Sequence, residues 1–177
     1  MKVLSGSWPA NSYTGAIFVD GKKQNFTNPV DSEQAGIEMI YQEISMHPEL
    51  TIAENIFLGR IPNRYGIVDR RAMYEQCEEY LKLVGLNLNP KTIVRNLSTS
   101  QQQMVAIARA LSRKPRILIL DEPTSALTET EVEVLLNNLK KFKAMGISSI
   151  YISHKLTEVF RVCNRITTMR DGNTINT

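Results

Sequence analysis

The run Ile117-Leu-Ile-Leu120, closed by Asp121-Glu122-Pro123, constrains the fold more than any other stretch of the chain. It is too short for a helix and lacks the alternation of a half-exposed strand. It predicts a strand buried on both faces, as in a parallel sheet covered by helices. Asp121 and Glu122 follow at its carboxyl end, and Pro123 stops further pairing. Open parallel sheets bind ligands at the carboxyl ends of their strands. Two acids there can hold a hydrated Mg²⁺ and orient a water for attack on a phosphate. Taken alone, the pair equally describes a strand that meets solvent at two charged residues, so the rest of the chain has to decide.

The flanking sequence predicts an α/β fold with a helical insertion. Gly15 to Val19 and Lys22 to Phe26 flank Asp20-Gly21, a strong hairpin signal. Met1 to Gly6 reads as the tail of a helix closed by Gly6. A short helix follows, capped by Asp31 or Ser32, running through Gln34 and closed by Gly36. Ile37 to Tyr41 reads as a strand with Gln42 at its carboxyl end. From about Ile44 the pattern turns helical. Thr51-Ile-Ala-Glu54 is a capping box, Pro62 to Gly66 a loop, and Asp69 to Gly85 a helix with Met73, Cys77, Tyr80, Leu81 and Val84 on one face. Leu97-Ser-Thr-Ser-Gln101 opens another helix with Met104, Val105, Ala108 and Leu111 inside. After the central strand, Thr128-Glu-Thr-Glu131 caps a helix that stops at Gly146. Ile150 to Ile152 is a further buried strand ending in Ser153-His154, and a helix carrying Leu156, Val159 and Phe160 follows. Asp171-Gly172 turns into a closing strand. Residues 1–44 and 113–177 thus read as core, and 45–112 as a helical insert.

Composition excludes several classes. A net charge of +3, scattered along the chain, does not argue for nucleic acid. No apolar run approaches a membrane span, and the start has no basic-then-apolar signal pattern. Cys77 and Cys163 are isolated, as expected of buried thiols in a reducing compartment.

Three predicted strands end in groups able to handle a phosphate: Gln42, Asp121-Glu122 and His154. With them the sequence resembles the ATP-binding cassette (ABC) ATPases. Tyr41-Gln42-Glu43 is similar to the Q-loop, and Leu97-Ser-Thr-Ser-Gln-Gln-Gln103 to the signature motif. Ile117 to Glu122 is similar to Walker B, Ser125-Ala-Leu-Thr128 to the D-loop, and Ser153-His154-Lys155 to the H-loop. Thr51-Ile-Ala-Glu-Asn-Ile-Phe-Leu-Gly59 and Tyr151-Ile-Ser-His-Lys-Leu156 resemble bacterial monosaccharide importers of the ribose, galactose and xylose type. Residues 1 to 15 look most like the xylose branch, and the whole chain like most of an amino-terminal cassette.

The resemblance implies a P-loop NTPase-like (RecA-like) parallel core, incomplete at the amino terminus, with an inserted helical subdomain and a short antiparallel β element. It implies ATP and Mg²⁺ as ligands. Asp121 anchors the metal, Gln42 touches the metal and the attacking water, Glu122 polarises that water, and His154 contacts the γ-phosphate. Ser98, Ser100 and Gln101 address nucleotide held on a second cassette, fused or separate; a helix start suits an anion. The implied partners are membrane permease subunits and, indirectly, a periplasmic sugar-binding protein. The implied place is the cytoplasmic face of the bacterial inner membrane. Gln42 to Gly59 is expected to reach the permease, with Ile52, Ile56 and Phe57 either contacts or buried. Two alternatives stand beside this reading: a catalytically dead cassette, and a non-transport ABC ATPase acting on nucleic acid or ribosomes.

Two departures from the family pattern matter. Ser100 stands where the signature usually has Gly. No G-x-x-x-x-G-K-[ST] occurs in the 177 residues, which predicts a chain truncated before Walker A that hydrolyses ATP poorly by itself.

Overall fold

The computed structural model describes residues 1–43 and 45–177. In chain order the elements are β1 (Ile17–Val19), β2 (Lys22–Gln24), α1 (Pro29–Gln34), β3 (Ile37–Ile40), α2 (Ile52–Ile56), β4 (Asn63–Arg64), β5 (Ile67–Val68) and α3 (Arg70–Leu83). There follow α4 (Thr99–Ser112), β6 (Ile117–Asp121), α5 (Glu129–Ala144), β7 (Ser148–Ile152), α6 (Leu156–Val162), β8 (Thr168–Arg170) and β9 (Asn173–Asn176). The apolar run at 117–120 is the middle strand of a parallel sheet in the order β3-β6-β7. Leu118, Ile119 and Leu120 are fully buried, because the two faces of β6 enter different cores. Leu118 and Leu120 join a cluster with α2, α3, α4 and α5, whereas Ile119 packs with Val19, Phe26 and Ile37 beneath the β1–β2 hairpin. Burial of each such side chain contributes about 1.5–3 kcal/mol, so the sheet is held from both sides.

The helices between residues 45 and 112 share that larger cluster with the sheet. Ile52, Ile56 and Phe57 are buried in it, so they are not surface contacts. Thr51 closes its capping box with Glu54 as the sequence requires. The change of pattern expected at Ile44 lies outside the described residues.

Several local expectations need correction. Met1 to Gly6 forms a single turn, with the Ser5 N–H on the Met1 carbonyl at 3.1 Å, rather than a regular helix. Asn28, and neither Asp31 nor Ser32, caps α1: its side chain accepts the N–H groups of Val30 and Asp31, and Pro29 takes the first helical position, where no donor is needed. Asp31 instead accepts the Thr27 N–H at 2.7 Å. The expected loop at 62–66 contains β4 and the turn of the β4–β5 hairpin. Its turn residues Tyr65 and Gly66 have φ of 53° and 80°, a primed turn like those at Asp20-Gly21 and Asp171-Gly172. An exposed tyrosine in the left-handed region carries no sequence signal of the Asp-Gly kind.

Strand β7 begins at Ser148 and is half-buried, not buried, because β6 is its only partner strand among the described residues. Helix α6 buries Val159 but leaves Leu156 and Phe160 exposed. Asn138 on α5 donates to the Val84 carbonyl at 2.9 Å, joining the end of α3 to the helix behind the sheet.

Candidate active site

Parallel pairing brings four predicted residues, at three strand ends, to one edge of the sheet. Ile40 lies opposite Leu120, and Asp121 opposite Ile152, so Gln42, Asp121-Glu122 and His154 all follow the carboxyl ends of adjacent strands. The chain beyond β3 is held by the Tyr41 hydroxyl, 3.0 Å from the Ser7 hydroxyl, and leaves Gln42 exposed.

Glu122 adopts a φ of 49°. A residue before proline is normally extended, so this left-handed backbone is strained, as functional positions often are. Its N–H is held on the Ile152 carbonyl at 3.0 Å, and the bend carries its side chain across to β7. The Glu122 carboxylate there lies 2.8 Å from Nδ1 of His154. An ionised carboxylate only accepts, so Nδ1 carries the proton. Ser153 accepts the Lys155 N–H at 3.0 Å and fixes the turn bearing the imidazole. The Glu122 side chain is 22% exposed and that of His154 74%: one group is sheltered, the other open to an incoming ligand.

The donors at this edge fit Mg²⁺. That ion keeps several waters and takes one or two carboxylates beside substrate phosphates; the half-exposed Asp121 carboxylate and the Gln42 amide oxygen suit such a role.

The signature segment lies elsewhere. It opens α4, whose far end meets the sheet: Arg109 donates to the Ser45 carbonyl just past β3. At the tip Ser98 caps α4 in a capping box with Gln101, and its Oγ lies 2.9 Å from that of Ser100. Capping uses one lone pair of Ser98; with the Ser100 hydroxyl turned to Glu131, the Ser98 proton goes to Ser100, so an anion here would have to displace that bond. Glu131 opposes such an anion. The Ser100 hydroxyl beside it, together with the Thr128 N–H and hydroxyl, holds its carboxyl below the ordinary range, so it is charged. Parallel pairing therefore places Gln42, Asp121, Glu122 and His154 at one sheet edge, whereas Ser98, Ser100 and Gln101 belong to the start of α4.

Sequence reasoning missed two polar clusters. Buried Glu158 accepts from Thr124 and Tyr151; a glutamate in a first helical turn reads as solvent-facing, so nothing flagged it. Arg113, at the end of α4, pairs with Glu33 of α1 and Glu38 of β3. Both acids and the arginine line an open cavity of about 210 Å³, with Tyr41, Glu43 and Arg109.

A family model described as ABC transporter matches residues 1–125. The chain belongs to the ABC transporter family. It is 53% identical over 177 residues to the xylose import ATP-binding protein XylG of Thermoanaerobacter pseudethanolicus, covering 100% of this chain and 35% of that protein. It is 41% identical over 179 residues to the ribose import ATP-binding protein RbsA of Geobacillus kaustophilus, with 36% of that protein covered. The chain thus spans about a third of the length of these ABC relatives. Its fold matches that of the ATP-binding cassette MJ0796, solved as a post-hydrolysis dimer bound to ADP and Pi. The TM-score is 0.82 at 24% identity, over 99% of this chain and 76% of the other. Among the described residues of this ABC family member, no helix is long and apolar enough to cross a membrane.

Proposed function

We propose that this chain is part of an ATP-binding and hydrolysing subunit that powers import of a monosaccharide, xylose or a related sugar, through a membrane permease. The observation that carries the chemistry is the Glu122–His154 contact at 2.8 Å between the ends of β6 and β7, with Asp121 beside it. Bound Mg²⁺ would neutralise charge building up on the phosphates. Asp121 and Gln42 would hold it, Glu122 would accept a hydrogen bond from the attacking water, and His154 would face the terminal phosphate. The grip of a glycine-rich loop on the phosphates is not assigned to these residues, since the 177 residues contain no such motif.

Residues 1–44 and 113–177 form the nucleotide-facing core, and 45–112 the helical unit. Ser98, Ser100 and Gln101 serve nucleotide held by a second cassette, fused or separate, which suits their place at the start of α4 rather than at the strand ends. The cavity lined by Tyr41, Glu43, Ser45 and Arg109 faces the permease, at the cytoplasmic side of the membrane, where the subunit is peripheral. A periplasmic sugar-binding protein is an indirect partner. The names of the xylose and ribose import relatives support this reading.

Glu122→Gln in the full-length protein tests it. The amide keeps shape but loses the charge that polarises water, so Mg-ATP binding should persist while turnover falls about a hundredfold or more. Near-normal hydrolysis would overturn the assignment.

A further inference from the structure

Behind the candidate catalytic pair lies a buried carboxylate that the proposed chemistry does not use. Glu158, in the first turn of α6, is 6% exposed. One of its oxygens accepts from the Thr124 hydroxyl at 2.8 Å and from the Tyr151 hydroxyl at 2.6 Å. The other lies 3.4 Å from the Lys155 ammonium, which also donates to the Thr124 carbonyl at 3.3 Å. Burying a charge is unfavourable unless it is paired and hydrogen-bonded, and this one is both. Burial pushes the Glu158 carboxyl up, but the two hydroxyls and Lys155 outweigh it and hold the group below its ordinary range. Burial and Glu158 together push the Tyr151 phenol up, so it stays a donor.

The placement of the partners is what points to a role. Thr124 is 1% exposed and lies two residues after Glu122. Lys155 directly follows His154, and Tyr151 belongs to the strand that delivers it. Each side of the Glu122–His154 contact is therefore anchored to one carboxylate. We propose that Glu158 is a positioning residue that fixes the separation of the Glu122 carboxylate and the His154 ring, through Thr124 on one side and Tyr151 and Lys155 on the other. This role presupposes the catalytic reading of Glu122 and His154 given above. The backbone bond from Glu122 to Ile152 fixes where the chain bends; the buried network fixes how the two loops lean on one another.

Glu158→Gln in the full-length protein tests the role, because the amide keeps the volume and loses the pairing with Lys155. Small misplacements of reacting groups cost up to about a hundredfold, so kcat should fall about ten- to a hundredfold. The KM for Mg-ATP should stay within about twofold, since the phosphate contacts themselves are intact. Nuclear magnetic resonance of the nucleotide-free, histidine-labelled protein gives a readout that does not depend on turnover. The Nδ1–H signal of His154, assigned by its loss in His154→Gln, should shift toward the Nε2–H tautomer in Glu158→Gln. Tyr151→Phe removes a single hydrogen bond and should show the same changes in smaller degree; it carries the test if Glu158→Gln does not fold. Normal kcat per folded molecule together with an unmoved His154 signal would overturn the proposal, even if thermal stability dropped. If Glu122→Gln turns over normally, the catalytic reading fails separately, and the His154 signal alone decides whether Glu158 positions the ring.

Discussion

Replacing Arg113 by Met should expose how strongly helix α4 is tied to the sheet. Arg113 donates to Glu33 and, at 3.0 Å, to Glu38. Its side chain is 18% exposed, that of Glu33 35% and that of Glu38 9%. On loss of the guanidinium Glu33 can turn to water, whereas Glu38 on β3 cannot. Breaking a buried pair from one side costs about 3–5 kcal/mol. Arg60 and Arg109 also face Glu38, which places the expected cost near the lower bound, about 3 kcal/mol around neutral pH. Burial already pushes the Glu38 carboxyl above 4.5, against the opposing pull of Arg113, and Glu33 adds to the rise. A raised acid favours the folded state below its unfolded value, and that contribution is lost as pH rises through its folded value. Without Arg113 the folded value rises further, so Arg113→Met should lose less stability near pH 5 than near pH 7.5. Each tenfold gain in the proton affinity of folded Glu38 is worth about 1.4 kcal/mol of that difference. Urea denaturation at both pH values measures this, and Arg113→Met/Glu38→Gln should restore much of the loss and flatten its pH dependence. A loss below about 1 kcal/mol, or one that is the same at both pH values, would refute the reasoning, since exposed pairs behave that way.

Two further substitutions follow from local geometry. Gly6 has a φ of 69°, and a Cβ there would come within 2.3 Å of the Asn28 carbonyl oxygen, beside the cap of α1; Gly6→Ala should therefore cost about 2 kcal/mol or more in urea unfolding, and a loss under about 0.5 kcal/mol would count against the close approach. The N–H and hydroxyl of Thr51 hold the Glu54 carboxyl below 4.5, with Arg70 adding to the effect; this stability is present above 4.5 and is lost as pH falls through the lower folded value, so Glu54→Gln should weaken the loss of stability between about pH 5 and 3, and an unchanged acid slope would show that the box contributes nothing.

Much of the fold follows from patterns that act over a few residues. The apolar run at 117–120 could only be satisfied by burial on both faces, and the capping boxes at Thr51, Ser98 and Thr128 close wherever a helix begins, because their donors and acceptors lie three residues apart. The Asp-Gly pairs at 20–21 and 171–172 set their hairpins for the same local reason. The candidate site was legible as residue types at strand ends, since parallel pairing places every such end on one edge.

Tertiary packing decided the rest. That Glu122 takes a left-handed φ and turns onto His154 depends on the Ile152 carbonyl that receives its N–H, a partner supplied by another strand. That Glu158 and Glu38 are buried depends on a threonine hydroxyl and an arginine brought from 34 and 75 residues away along the chain. A charged residue in a sequence window reads as solvent-facing unless its partner is visible, and here the partners meet only once the sheet has formed. The same holds for Ile52, Ile56 and Phe57, apolar residues equally suited to a contact surface or a core until α4 packs over them. Local chemistry determined which elements form. Long-range pairing decided which polar groups could leave water.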